Sequence, residues 1–183
     1  MKIEEIRNSW RQLVAQKEFK QVAELLRQSP KRDKLMQRGR ELGAHTFVFD
    51  HPWDMERCLT PHTMETMNWN QVFNDDEEWT FMLNRMDYWS VLAKAALISQ
   101  DTQYLDQAKD FLLDWIEQHP RIELSLSTRT LDTGIRVVNM LECAMFLEAA
   151  EKLNDEELTL ILTSIKNQLT YLKVNYIEKY TLS

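Results

Sequence analysis

The chain has 183 residues, a length that suits one domain, and its 44% hydrophobic and 28% charged residues exclude a disordered polypeptide. Three glycines and four prolines are too few for the turns of a sheet-rich fold, so the composition selects an all-α architecture. A net charge of −7 excludes a general nucleic-acid binder, and no apolar run approaches the roughly 18 residues of a membrane span.

Residues 1–44 read as a helical arm. Ile3, Ile6, Trp10, Leu13 and Val14 recur at helical spacing, and Phe19, Val22, Leu25 and Leu26 make a second short stripe. Pro30 interrupts the pattern before a third helix over 31–42. The opening Met1-Lys2-Ile3-Glu4-Glu5 has no apolar signal core. The expectation is a cytoplasmic protein as the sequence stands, with a periplasmic or secreted parent as the other option.

Residues 45–78 change character. His45-Thr46-Phe47-Val48-Phe49-Asp50-His51-Pro52-Trp53 is rich in aromatics, and Pro52 and Pro61 exclude a continuous helix. The reading is a long, partly extended loop held down by Phe47, Phe49, Trp53, Trp69 and Phe73; loops of this length are often functional. His51, Asp54, Glu56 and His62 lack metal-ligand spacing, so no metal site is expected there. Cys58 and Cys143 form no paired motif and read as packing residues.

From Asp75 the pattern is helical. Asp75-Asp76-Glu77-Glu78 places acid where a helix macrodipole favours it, ahead of a helix over 78–99. After a break at Gln100-Asp101, a second helix stops before Pro120 and a third spans 128–153. Asn154 with Glu157 three residues on predicts a capping box for a last helix to about Tyr180. The spans 88–116 and 135–172 are thus two helical hairpins of like plan, which suit a toroid, a solenoid or a bundle equally. No closing turn follows the last helix, so the chain reads as part of a longer protein.

Two constellations stand out. Arg129, Asp132, Arg136 and Asn139 share one helix face, while Leu131, Ile135, Val138 and Met145 share another. Such a polar stripe either lines a cleft or is a solvated face whose ion pairs contribute a few tenths of a kcal/mol each. Asn84, Arg85, Tyr88 and Trp89 fall within two turns, and Arg85 could stack on Trp89 at i,i+4. A polar–aromatic set suits sugar binding, which we assign to Asn84 and Arg85; the competing reading, a buried Trp held by a structural Arg, better suits Trp89. No Gly-rich phosphate loop and no Gly-x-Ser-x-Gly elbow is present, and no cofactor is expected.

The segment Asp76-Glu77-Glu78-Trp79-Thr80-Phe81-Met82-Leu83-Asn84-Arg85 resembles the "(D)xEWxFxLNR" segment of the heparinase II/III family. Residues 104–120, with Asp114-Trp115-Ile116 and His119-Pro120, resemble its "Y…DWIxxNP" hairpin. Arg129 to Arg136, with Gly134-Ile135-Arg136, resembles its "R…GIR" element, although Thr128 stands where relatives often carry Trp. The resemblance covers roughly 47–183. It implies an incomplete α/α toroid over 45–183 that precedes a β-sandwich in the parent. It also implies an acidic, uronate-containing polysaccharide or oligosaccharide as partner, cleaved by β-elimination; the alternatives are a non-catalytic carbohydrate-binding α/α domain and a helical-repeat protein-interaction module. In that chemistry, donors neutralise the uronate carboxylate while a Tyr or His removes the C5 proton. The catalytic residues are implied to lie beyond residue 183. The substrate-binding residues expected here are Asn84, Arg85, Tyr88, Trp89, Arg129, Asp132, Arg136 and Asn139.

Overall fold

The computed structural model describes residues 3–15, 17–50 and 58–175, with the side chains of 17–20 left aside. Among the described residues are eight α-helices: α1 (Ile3–Val14), α2 (Lys17–Gln28), α3 (Arg32–Gly43), α4 (Glu77–Arg85), α5 (Trp89–Ser99), α6 (Gln103–Gln118), α7 (Thr130–Ala149) and α8 (Asp155–Asn175). The all-α expectation holds, with one small exception in the aromatic segment. There β1 (Thr46–Phe49) and β2 (Cys58–Thr63) pair antiparallel, Thr46 opposite Thr63 and Phe47 opposite His62. Strand alternation drives Phe47 and Phe49 into the core, where they meet Trp79 edge-on at 6.4 and 5.6 Å. The extended part of the segment read as a long, partly extended loop is this hairpin. His51, Trp53, Asp54, Glu56 and the helix end expected near Tyr180 lie outside the described residues.

A second departure is the helix expected over 78–99, which is two helices. Asp76 caps α4, its Oδ1 accepting from the Glu78 amide at 2.9 Å. Met86 then takes a left-handed φ of 60° and ends the helix, so α5 restarts at Trp89. Arg85 and Trp89 consequently do not share one helix. The capping box before α8 forms as expected: the Asn154 amide donates to Glu157 Oε2 and the Glu157 amide to Asn154 Oδ1, both at 2.9 Å.

The hairpins α5–α6 and α7–α8 pack on each other, α4 lies against α7, and α3 against α5. The first helix crosses α7 and is fastened there by charge. Glu148, fully buried near the α7 C-terminus, meets Arg11 Nη2 at 2.9 Å and Arg7 Nε at 3.0 Å, and Arg7 also reaches Asp155. The two cations offset the cost of a carboxylate sunk at the unfavourable end of a helix dipole. Cys58 and Cys143 are both buried; the Cys58 thiol faces Asp76 Oδ2 at 3.7 Å, and burial pushes the Cys143 thiol up to about 12.

Two helix-interior glycines have opposite surroundings. A Cβ at Gly39 would stand 2.8 Å from Ala95 Cβ and 3.0 Å from Tyr104 Cε1, so this glycine sets how closely α3 approaches α5. At Gly134 nothing lies within 4 Å. In thermal or urea unfolding, Gly39→Ala should lose stability, because overpacking of about 1–3 kcal/mol exceeds the helix gain of about 1 kcal/mol. Gly134→Ala should instead gain about 1 kcal/mol. Equal effects at the two positions would refute the packing difference.

Candidate functional site

The region carrying the expected residues is built outward from Trp115. Its indole N–H donates to Asn84 Oδ1 at 3.0 Å, and the Asn84 amide donates to the carbonyls of Trp69 and Thr80 at 2.7 and 2.8 Å. Asn84 is thus spent inside the protein, joining α4 to α6 and to the segment before α4. The Trp69 indole N–H in turn donates to Asp114 at 2.7 Å.

Arg136 lies at the centre of this assembly and is fully buried. Its guanidinium sits 4.2 Å above the Trp115 ring. Nε donates to Gln168 Oε1 at 2.8 Å, Nη1 to the carbonyls of Asn84 and Ser127 at 2.9 and 2.8 Å, and Nη2 to Thr133 Oγ1 at 2.9 Å. Burial draws its pKa down to about 9, with Asp132 resisting, so the group stays a cation at neutral pH.

Asp132 is also fully buried, yet it faces two cations nearer the surface. Its Oδ1 accepts from Arg85 Nε at 2.7 Å and its Oδ2 from Arg129 Nε. Arg129 lies 3.6 Å over the Phe81 ring, and Arg85 also approaches Glu78 at 3.4 Å. The Arg129 side chain is 37% exposed and that of Arg85 15%. Asn139, half-buried, donates to the Arg85 carbonyl at 2.7 Å. Tyr88 and Trp89 are core residues. Tyr88 meets Phe47 and Phe111 edge-on at 5.2 and 5.6 Å, and burial raises its hydroxyl well above the ordinary phenol range. Trp89 packs on Phe146 at 5.4 Å.

The polar stripe of α7 is therefore neither solvated nor open along its length. Asp132 and Arg136 point into the domain, and the helix turns Leu131 and Val138 outward at 58% and 56% exposure, with Leu141 beside them. The reason is that their partners come from other elements, Arg85 of α4, Trp115 of α6 and Gln168 of α8, rather than from i,i+4 neighbours. Of the eight expected residues, the structure brings Arg85, Arg129 and Asp132 together at the surface end of the network. It places Asn84 and Arg136 beneath, Asn139 at the flank, and Tyr88 and Trp89 in the core. The reading of the sequence missed Gln168 and Ser127. Gln168 was detectable, with Ser164, as a polar residue in the mainly apolar α8 stripe of Leu158, Ile161, Ile165 and Tyr171. Ser127 carried no such signal. His62 stacks on Phe73 at 4.1 Å.

The sequence model of the family described as Heparinase II/III N-terminus matches residues 9–181. The match begins inside α1 and so takes in most of the segment read as an arm. No curated protein and no solved structure matches the chain.

Removing the guanidinium of Arg136 leaves Gln168 and two carbonyls without their donor. Arg136→Ala should cost about 3–5 kcal/mol in urea unfolding, the range for breaking a buried charge network. A loss below about 1 kcal/mol would show that the cation is not structural.

Proposed function

The chain belongs to the heparinase II/III family as its N-terminal domain, and on that premise we propose that it forms one wall of the substrate cleft of a polysaccharide lyase. The substrate class is an acidic, uronate-containing glycan cleaved by β-elimination, and the residues that carry out proton transfer belong to the rest of the parent protein. The observation that carries this reading is the family match, which spans nearly the whole chain.

Within that reading the ligand-facing group is Arg129, supported by Arg85. Asp132 holds both guanidiniums and Phe81 backs the Arg129 plane, which fixes its orientation before a ligand arrives. A fixed planar donor set matches a carboxylate or sulfate bidentately, and little ordering entropy remains to be lost on binding. Asn84 and Arg136 act beneath this surface by positioning α4 and α7. A net charge of −7 does not oppose an anionic ligand here, because surface charges are screened beyond about 8 Å at physiological salt. The outward apolar residues Leu131, Val138 and Leu141 fit a face covered by further helices of the parent.

Two measurements test the reading. Ultraviolet absorbance of the unsaturated uronate product should rise with the full-length parent on at least one of hyaluronan, heparan sulfate, chondroitin or alginate oligosaccharides, and should not rise with the 183-residue chain. No rise on any of them removes the lyase assignment. In a binding titration on the responsive glycan, Arg129→Ala should weaken affinity about ten-fold, the size of one lost charge-assisted contact, with helicity unchanged. Unchanged affinity excludes Arg129 as the ligand-facing group.

A further inference from the structure

The turn joining α6 to α7 holds a chain of polar contacts that the cleft reading does not use. The His119 ring lies flat on Trp115, centroids 4.1 Å apart. Its Nδ1 is 2.7 Å from the Trp115 carbonyl and its Nε2 2.8 Å from Ser127 Oγ. Ser127 Oγ is 2.9 Å from Ser125 Oγ, which is 2.9 Å from Thr128 Oγ1, and Thr128 Oγ1 donates to the Glu123 carbonyl. Ser127 and Thr128 are fully buried.

Counting hydrogens decides what this chain prefers. There are five contacts, from the Trp115 carbonyl to the Glu123 carbonyl, and each needs one hydrogen between its two heavy atoms. Both ends are carbonyls and can only accept. The three hydroxyls supply three hydrogens and a neutral imidazole one more, so one contact is left with facing lone pairs. An imidazolium supplies two, and every contact is then filled in a single direction: Nδ1–H to Trp115, Nε2–H to Ser127, Ser127 to Ser125, Ser125 to Thr128, Thr128 to Glu123.

We propose that the turn over 119–128 is a proton-operated latch, in which one proton on His119 completes the hydroxyl chain and fastens the turn that delivers Arg129 to α7. The latch also touches the buried network, because the Ser127 carbonyl accepts from Arg136 at 2.8 Å and its amide donates to Asn70 Oδ1 at 3.1 Å. Several charges face the imidazole. Asp114 of α6 favours the cation and Arg136 of α7 opposes it. Glu117 of α6 and Glu156 and Glu157 of α8 line the same hollow. Burial is the largest influence and holds the ring below its ordinary value, so the latch closes on the acid side of about pH 6.5.

The test is an NMR titration of the imidazole in the 183-residue chain, with His119→Gln identifying its signal among the four histidines. Ser127→Ala removes the acceptor of Nε2–H and should lower the proton affinity of His119 about ten-fold, one pKa unit. Ser125→Ala, an exposed position that does not touch the ring, should lower it in the same direction. It leaves three contacts and three hydrogens with a neutral imidazole, so the extra proton has no vacancy to fill. Protection of the Ser125 and Thr128 amides, corrected for intrinsic exchange, should rise as His119 titrates in the unaltered chain and stay flat in Ser125→Ala. A His119 pKa unchanged or raised by Ser125→Ala overturns the latch, whatever Ser127→Ala does.

Discussion

A fully buried guanidinium imposes the strictest demand on this domain. Taking a cation out of water costs several kcal/mol even after relaxation, and the cost is offset only where each donor finds an acceptor and the charge finds a polarisable neighbour. Arg136 finds an acceptor for each of its three guanidinium nitrogens, drawing besides Thr133 of its own helix on groups from four places: carbonyls at the end of α4 and in the turn before α7, a side-chain amide of α8, and the indole of α6. No two helices could supply them. The Asn84 carbonyl, the Trp115 ring that Asn84 clamps and Gln168 of α8 all converge on that one group.

This arrangement also explains how the surface end is prepared. Asp132 sits between the buried cation and two outer ones, so a single carboxylate links the interior network to Arg85 and Arg129. Orientation at the surface is inherited from packing below it, which is the arrangement that a pre-organised binding wall requires. The same helix is apolar on both sides, burying Val137, Met140, Ala144 and Leu147 and showing Leu131, Val138 and Leu141 to the outside. A helix apolar on both sides is the pattern of one that is covered on both.

Much of this was legible beforehand, and the failures have physical causes. Helical periodicity, the capping pair Asn154–Glu157 and the acidic start of α4 are local signals, and all three appear in the structure. The Asn84-Arg85 and Arg129–Arg136 segments were recognisable as special residues in a special order. Their orientation was not, because a polar stripe at helical spacing looks the same whether it meets water or partners from distant elements. Only tertiary contacts, such as Arg136 with Gln168, separate the two. The break at Met86 was hidden for a similar reason: a left-handed residue other than glycine leaves no mark in the sequence. The β-hairpin was masked by its unusual setting between prolines and aromatics.

The clasp that fastens the first helix has a consequence for synthesis on the ribosome. Arg11 and its acceptor Glu148 are separated by 137 positions, and Arg7 and Asp155 by 148. At translation rates of about 5–20 residues per second, the first helix waits on the order of ten seconds before its carboxylates exist. Throughout that interval Ile3 and Trp10, which later pack against the core, face the solvent of the exit vestibule. The nascent chain thus presents a short amphipathic segment whose charged partners arrive only with the end of α7 and the start of α8.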